Sequence, residues 1–179
     1  AFSKIKKEFS RYFSILFEGG KAELIEVYST PDEKVNEPEE GGEVVEEEAE
    51  TVGPIKTKIL TGIEVTACPP GKKITNLAAL SGGERTLTSI ALVCAILHTN
   101  PPPFVFLDEV EAALDEANTL RFTQILQELA TRSQFILITH NRTTMHAADV
   151  LYGVTMGNDG VSRLVSVDMT QAAKVVEPN

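Results

Sequence analysis

The fold is decided by the stretch Phe104-Val105-Phe106-Leu107-Asp108-Glu109, in which four apolar residues are followed directly by two carboxylates. A short, continuous apolar run of this kind is typical of a strand that is buried on both faces. A second run, Phe135-Ile136-Leu137-Ile138, follows after a helical segment. The order strand, helix, strand predicts parallel pairing with a right-handed crossover, and therefore an α/β fold.

The segments around this unit show clear periodicity. Apolar residues recur at spacings of three and four over residues 2–17, which predicts an amphipathic helix. The other predicted elements are strands 22–28 and 62–67, helices 85–98, 116–130 and 144–148, and a terminal hairpin of 151–156 with 161–167.

Negative charge is concentrated in one segment. The 179 residues carry a formal net charge of −10, and residues 32–50 hold −9 of it, with ten acidic residues against Lys34 alone. The rest of the chain is nearly neutral, which excludes a globally basic nucleic-acid footprint. Because residues 32–58 contain no aromatic residue, we predict a solvated acidic insert there. The alternative is a mimic of nucleic acid or a docking strip for a basic partner.

The sequence also bears on the compartment. It contains no run of about 18 apolar residues, so no membrane-spanning helix is predicted. The opening residues lack a signal-peptide pattern. Cys68 and Cys94 lie in unlike contexts without zinc-ligand spacing, and we therefore expect a reducing, cytoplasmic location.

Asp108 and Glu109 are the first candidate site residues. They follow a predicted buried strand, at the sheet edge where α/β folds bind ligands, and have the form of a Walker B element. Adjacent strand residues point to opposite faces, so Asp108 would reach Mg²⁺ through water while Glu109 orients or deprotonates the attacking water. The alternative is a pair of strand-end acids that face solvent.

The string Leu80-Ser81-Gly82-Gly83-Glu84 precedes a predicted helix. A helix N-terminus offers free N–H groups and a positive dipole end to an anion. Ser81 would donate to a phosphate oxygen, while Gly82 and Gly83 would permit close approach of the backbone. The alternative is an ordinary capped helix start with Ser81 as the N-cap.

His140 follows the second apolar run and should emerge at the same sheet edge as Asp108. A neutral imidazole there can hydrogen-bond a γ-phosphate. The alternative is a structural or solvated histidine.

A P-loop is missing. The pair Gly71-Lys72 would need a Gly at 66 and a Ser or Thr at 73, but the chain has Thr66 and Lys73. The sequence therefore predicts a nucleotide site that is completed by another polypeptide segment.

Several segments together resemble a known family. Residues 80–84 resemble the signature string of ABC-type ATPases. A longer stretch resembles the C-terminal head half of SMC (structural maintenance of chromosomes) proteins, most of all the bacterial type: Phe106-Leu107-Asp108-Glu109-Val110-Glu111-Ala112-Ala113-Leu114-Asp115-Glu116-Ala117-Asn118. Residues 69–73, 139–145 and 151–156 support the resemblance, which is dense over 59–167 and looser over 1–28.

The resemblance implies an ABC-type P-loop NTPase half-head, with a mixed, mostly parallel sheet flanked by helices and a C-terminal hairpin. The implied domains are a coiled-coil root helix at 1–18, the C-terminal lobe of the head at 19–31 and 59–172, the acidic insert at 32–58 and a tail at 173–179.

The resemblance also implies roles for individual residues. Asp108 would serve the metal, Glu109 would be the catalytic glutamate and His140 the switch histidine, all acting on the ATP of their own head. Four residues are implied to face the nucleotide of an opposing head: Ser81, Gly82, Gly83 and Glu84. Asp115 is implied to belong to a loop that crosses the interface between heads.

The implied function is ATP hydrolysis, with Mg²⁺, at a composite site that drives head engagement for chromosome condensation and segregation in the nucleoid. The chain alone should be inactive because it lacks Walker A. The implied partners are the N-terminal head half, a second and identical head, a kleisin winged-helix domain and DNA, with no membrane. Alternatives are a Rad50-like or RecN-like repair ATPase and a non-catalytic kleisin-binding module.

DNA contact would rest on the basic cluster near the first helix, for which a solvated helix face is the alternative: Lys4, Lys6, Lys7 and Arg11.

Overall fold

The computed structural model describes residues 1–29, 59–73 and 76–168. The helices are α1 (Phe2–Leu16), α2 (Gly82–Thr99), α3 (Glu116–Ala130) and α4 (Arg142–His146). The strands are β1 (Lys21–Ser29), β2 (Ile59–Cys68), β3 (Phe104–Asp108), β4 (Gln134–Ile138), β5 (Val150–Met156) and β6 (Ser162–Asp168). None of the described helices has the length and apolar character to cross a membrane. The acidic segment 32–58 and the tail 173–179 lie outside the described residues.

Helix α1 supplies the centre of the hydrophobic core. Four of its side chains, which lie on one face of the helix, are at most 1% exposed: Phe9, Tyr12, Phe13 and Leu16. They belong to one cluster with buried side chains of α2 and α3, namely Leu87, Ile90, Ala91, Cys94, Ala95, Phe122, Ile125, Leu126 and Leu129. Each buried Phe or Leu contributes roughly 1.5–3 kcal/mol, so the periodicity predicted from the sequence is what holds α1 in place.

A polar network fixes α1 to the carboxyl ends of α2 and α3. The buried Tyr12 hydroxyl lies 2.8 Å from His98 Nδ1 and donates to Glu128 Oε1 at 3.3 Å. Arg11 donates to both carboxylate oxygens of Glu128, at 2.9 and 2.7 Å. Burial raises the pKa of Tyr12, and the Arg11 guanidinium lowers the pKa of Glu128. These directed contacts set the rotation of α1 about its axis, which apolar packing alone leaves loose.

The parallel pairing predicted for the two apolar runs is confirmed. β3 and β4 pair in parallel with Asp108 opposite Ile138, and α3 connects them. The carboxyl ends of both strands therefore meet at one edge.

The prediction that these two strands are buried on both faces is wrong for the described residues. Val105 and Leu107 are half-buried, whereas Phe104 and Phe106 are 55% and 63% exposed. In β4, Ile138 is 56% exposed. A continuous apolar run predicts the environment that a strand requires, but it does not say which part of the chain supplies that environment.

A mixed, mostly parallel sheet is likewise not formed by the part of the chain that the structure describes. The strands form three separate two-stranded ladders, β1 with β2 and β5 with β6 in antiparallel pairs and β3 with β4 in parallel. A parallel pair needs a long crossover connection, and α3 provides it between β3 and β4. β2 and β3 are also separated by a long helix, α2, but they do not pair with each other in the described residues.

Side-chain caps explain why two helices begin earlier than predicted. α2 begins at Gly82 rather than residue 85, because Ser81 accepts a hydrogen bond from the Glu84 N–H at 3.3 Å. α4 begins at Arg142 rather than residue 144, because the Asn141 side chain accepts from the Thr143 N–H at 2.8 Å.

The start of α2 is further held by Lys72, which lies in the loop after β2. Glu84 completes a capping box by accepting from the Ser81 N–H at 2.9 Å, and its other oxygen lies 2.6 Å from Lys72 Nζ. The Lys72 ammonium, followed by the Ser81 backbone, lowers the pKa of the Glu84 carboxyl to about 2. A loop that is remote in sequence thus orients the residues that begin α2.

Gly20 is a position where a side chain should destabilise the fold. Its φ is +78°, and an added Cβ would lie 2.6 Å from the Cys68 carbonyl oxygen. We expect Gly20→Ala to lower the free energy of unfolding by about 2–4 kcal/mol, since it adds left-handed strain to a backbone clash. Urea denaturation of the chain measures this. Gly62→Ala is the matched control, because a Cβ there meets nothing within 4 Å. Equal stability of the two variants would contradict the packing described.

Lys72→Met should raise the pKa of Glu84 from about 2 toward its ordinary value, because the ammonium that favours the carboxylate is removed. A lowered folded-state pKa stabilises the fold above the unfolded-state pKa, and this contribution is lost as the pH falls toward 2. The variant should therefore be less stable than the wild type above about pH 5, and the difference should shrink as the pH falls from about 5 toward 2. Carboxyl carbon NMR across a pH titration measures the shift. Lys73→Met is the control, and an unchanged Glu84 pKa in Lys72→Met would contradict the assignment.

Candidate functional site

Three predicted site residues lie at one edge of the β3–β4 pair. Asp108 ends β3, and the next N–H, that of Glu109, donates to the Ile138 carbonyl of β4 at 2.9 Å. His140 follows two residues after Ile138, and its Nδ1 lies 3.5 Å from Glu109 Oε1. Both side chains are open to solvent, 76% for His140 and 55% for Glu109. The edge therefore presents a carboxylate and an imidazole that face one another.

The backbone of Glu109 adopts a left-handed conformation, with φ 46° and ψ 34°. For a residue with a side chain this costs roughly 1–2 kcal/mol. It places Glu109 outside β3, as the cap of the short 3₁₀ helix Val110–Ala113. The argument from alternating strand faces was therefore wrong for Glu109, because the strand has already ended at Asp108. Strained backbone at a candidate catalytic residue is consistent with a functional constraint.

One pocket forms between the two strand ends. Its lining includes the predicted residues Glu109 and His140, and also Glu111, Thr139 and Asn141. Thr139 Oγ1 donates to the carboxylate of Glu111, which is 6% exposed. The pocket thus combines two exposed titratable groups with a buried polar contact behind them.

The signature residues lie apart from this pocket. None of Ser81, Gly82, Gly83 and Glu84 contributes to its lining. Ser81 and the two glycines are exposed, and a Cβ at either glycine would meet nothing within 4 Å. The structure also shows Ser81 as an N-cap, which was the alternative interpretation. Capping occupies one lone pair of the hydroxyl and leaves its proton free to donate.

Asp115 is the N-cap of α3. Its side chain accepts from the Asn118 N–H at 2.7 Å, so the structure gives this carboxylate a local role. Asp115 does not line the pocket.

A magnesium site would rest on few protein ligands. Among the described residues, no cluster of three or more His, Cys, Asp or Glu side chains could hold a metal by itself. Mg²⁺ is commonly bound by one or two carboxylates together with substrate phosphates and waters. The exposed carboxylate of Asp108 fits that mode of binding.

Sequence reasoning missed three residues that bear on these sites. Lys72 entered only as part of a resembling string and as the lysine of a P-loop that the sequence lacks, and its contact with Glu84 depends on how the loop after β2 folds back. Glu111 and Thr139 were quoted without a role. The available signal was weak: an acidic residue in a 3₁₀ turn and a hydroxyl at a strand end are both common at solvent-exposed positions.

Comparison with known families gives an independent result. A family model described as RecF/RecN/SMC N terminal domain matches residues 4–163. The chain is 44% identical to the chromosome partition protein Smc of Bacillus subtilis (strain 168) over 176 residues, covering 98% of this chain and 13% of that protein. It is 42% identical to the protein of the same name from Mycobacterium tuberculosis over 169 residues, covering 94% and 12%. The chain therefore spans about an eighth of the length of these relatives.

Solved structures show the same likeness. A head domain of Smc with an extended coiled coil, bound to the C-terminal domain of ScpA and derived from Pyrococcus furiosus, matches with a TM-score of 0.75 and 35% identity, covering 98% of this chain and 37% of that one. A chain from work on ATP-driven dimerization and DNA-stimulated activation of SMC ATPases matches with a TM-score of 0.68 and 34% identity, covering 98% and 91%. By sequence and by fold, the chain belongs to the RecF/RecN/SMC N-terminal domain family and has the fold of an SMC head domain.

Proposed function

We propose that this chain is the C-terminal lobe of an SMC ATPase head, and that it hydrolyses ATP together with an N-terminal lobe and a second head. The observation that carries the proposal is the Glu109 carboxylate 3.5 Å from the His140 imidazole at the carboxyl edge of a parallel strand pair. In this proposal, residues 1–18 are the coiled-coil root, and 19–31 with 59–172 are the lobe. The order of motifs, with a signature string before the Asp108-Glu109 pair and no P-loop, supports the C-terminal assignment.

The chemistry divides among three side chains. ATP with Mg²⁺ would supply the phosphoryl group and neutralise the charge that develops on it. Asp108 would hold the metal with its exposed carboxylate. Glu109 orients the attacking water and accepts its proton. His140 would contact the γ-phosphate, and its Nδ1 lies 3.5 Å from Glu109 Oε1, where it can orient that carboxylate.

The signature residues act on the nucleotide of the opposing head. Their exposure, and their separation from the Glu109–His140 pocket, support a role across an interface rather than within one lobe. The Ser81 hydroxyl, Gly82 and Gly83 form the anion-binding start of α2, and Glu84 holds the cap. Asp115 caps α3 at the same interface.

The N-terminal lobe covers the open face of β3 and β4. Phe104, Phe106 and Ile138 are each more than half exposed, and such a contiguous apolar surface marks an interaction site. Strands from the N-terminal lobe would bury these side chains and bring the P-loop to the edge occupied by Asp108. The half-site in this chain would thereby become a complete nucleotide site.

The remaining partners follow from the relatives. Two solved neighbours are Smc heads bound to the C-terminal, winged-helix domain of ScpA, and we propose a kleisin subunit of that kind as a partner. The location would be the nucleoid, and the role chromosome condensation and segregation. Within the basic cluster of the first helix, Lys4, Lys6 and Lys7 are the candidates for DNA contact, because Arg11 is paired with Glu128.

Glu109→Gln should lower ATP turnover of assembled heads by roughly a hundredfold or more and trap an ATP-bound dimer, because the base is lost while nucleotide contacts remain. Turnover assays and size-exclusion chromatography with ATP measure both effects. Glu64→Gln, on β2, is the control. Only monomers with ATP would count against Glu109 as the base, and turnover by this chain without the N-terminal lobe would refute the composite site.

Ser81→Arg should leave ATP binding by the assembled head intact while abolishing ATP-dependent dimerisation, because the larger side chain fills the start of α2 that faces the second head. Equilibrium binding of a fluorescent ATP analogue and size-exclusion chromatography separate the two effects. Ser89→Arg, exposed on the same helix, is the matched control. Loss of nucleotide binding would mean that the signature acts within its own head.

A further inference from the structure

The pocket contains a buried carboxylate that the proposed chemistry does not use. Glu111 is 6% exposed, and no salt bridge joins it to a cation within residues 1–29, 59–73 and 76–168. A buried carboxylate is costly unless it accepts hydrogen bonds. Its hydrogen-bond donor is the hydroxyl of Thr139, the residue directly before His140.

The Thr139 hydroxyl takes part in two hydrogen bonds, one as donor and one as acceptor. Its hydroxyl has a single proton, which goes to Glu111. Its oxygen accepts from the Asn141 N–H at 2.9 Å, and the Asn141 side chain in turn accepts from the Thr143 N–H at 2.8 Å at the start of α4. Thr139 and Asn141, the residues before and after His140, are therefore both held by hydrogen bonds, and Glu111 accepts the Thr139 proton.

A second hydrogen bond joins the ends of β3 and β4. The Glu109 N–H donates to the Ile138 carbonyl at 2.9 Å, and Glu111 is fixed in its 3₁₀ turn by the bond from the Leu114 N–H at 2.9 Å. The Glu109 and His140 side chains lie between these hydrogen bonds and are themselves mostly exposed. Packing does not hold the two side chains in place. Their separation therefore depends on the backbone at 109–111 and 138–140, which the Glu109–Ile138 and Thr139–Glu111 hydrogen bonds connect.

We infer that Glu111 and Thr139 are positioning residues that set the distance between the Glu109 carboxylate and the His140 imidazole. The inference rests on the proposed function. Both side chains are engaged with each other, so their loss should lower the turnover number and leave nucleotide affinity nearly unaltered. A displacement of about 1 Å in a catalytic group can cost up to about a hundredfold in rate.

The test uses assembled heads. Thr139→Val keeps the shape and removes both the donor to Glu111 and the acceptor of the Asn141 N–H, whereas Glu111→Met removes only the acceptor of the Thr139 proton. Each should lower kcat by roughly tenfold or more with little change in KM. Thr139→Ser and Glu111→Gln, which keep a donor and an acceptor, should retain most of kcat. The double variant Glu111→Met with Thr139→Val should be no slower than the slower single variant, because one interaction is removed in all three.

Two controls separate the possible failures. Thr123→Val removes a buried hydroxyl of α3 that bonds the Leu120 carbonyl at 2.8 Å, and it should leave kcat unchanged. Glu109→Gln in the same assembly tests the proposed function itself, and undiminished turnover in that variant would refute it.

If Glu109→Gln is slow while Thr139→Val keeps the wild-type kcat, only the positioning role is overturned. Equal losses in Thr139→Val and Thr139→Ser, or additive losses in the double variant, would also overturn it. If Glu111→Met fails to fold, the Val and Ser variants at position 139 still decide the question.

Discussion

The burial of one face of α1 is the constraint on which the rest of the structure depends. Phe9, Tyr12 and Phe13 are fully buried and touch the layers formed by α2 and α3. The Tyr12 hydroxyl and the Arg11 guanidinium then direct α1 onto His98 and Glu128, at the far ends of those helices. α2 begins with the signature string and α3 follows the Asp108-Glu109 turn, so α1 packs against the two helices that lead away from the candidate sites.

The parallel register of β3 and β4 brings the candidate site residues together. Two strands aligned so that Asp108 faces Ile138 must end together, and the next residues of each strand then meet. Glu109 turns into a left-handed conformation at that point, which aims its carboxylate toward His140 instead of along the strand face. Two hydrogen bonds flank this turn, the ladder bond from the Glu109 N–H to Ile138 and the Glu111–Thr139 contact.

Sequence reasoning placed Asp108 and His140 at one edge, because two apolar runs separated by a helix leave few other topologies. It succeeded for α3, whose observed bounds Glu116–Ala130 match the predicted 116–130. It was wrong about the burial of Phe104 and Phe106, which are both more than half exposed. An apolar pattern predicts that a strand is covered on both faces, but it does not identify the segment that covers it. It also gave Lys72 no structural role, because the contact with Glu84 joins residues twelve positions apart through a loop that no local pattern specifies.

The sequence by itself determined the α/β class, the parallel strand pair and the identity of the candidate chemical groups, because these depend on periodicity and on short strings that are local in the chain. Only the tertiary structure decided the orientation of Glu109, the separation of the signature residues from the pocket and the buried Glu111–Thr139 contact. Those features depend on backbone dihedral angles and on contacts between distant segments. Both are set only when the chain packs, and neither produces a periodic pattern in the sequence.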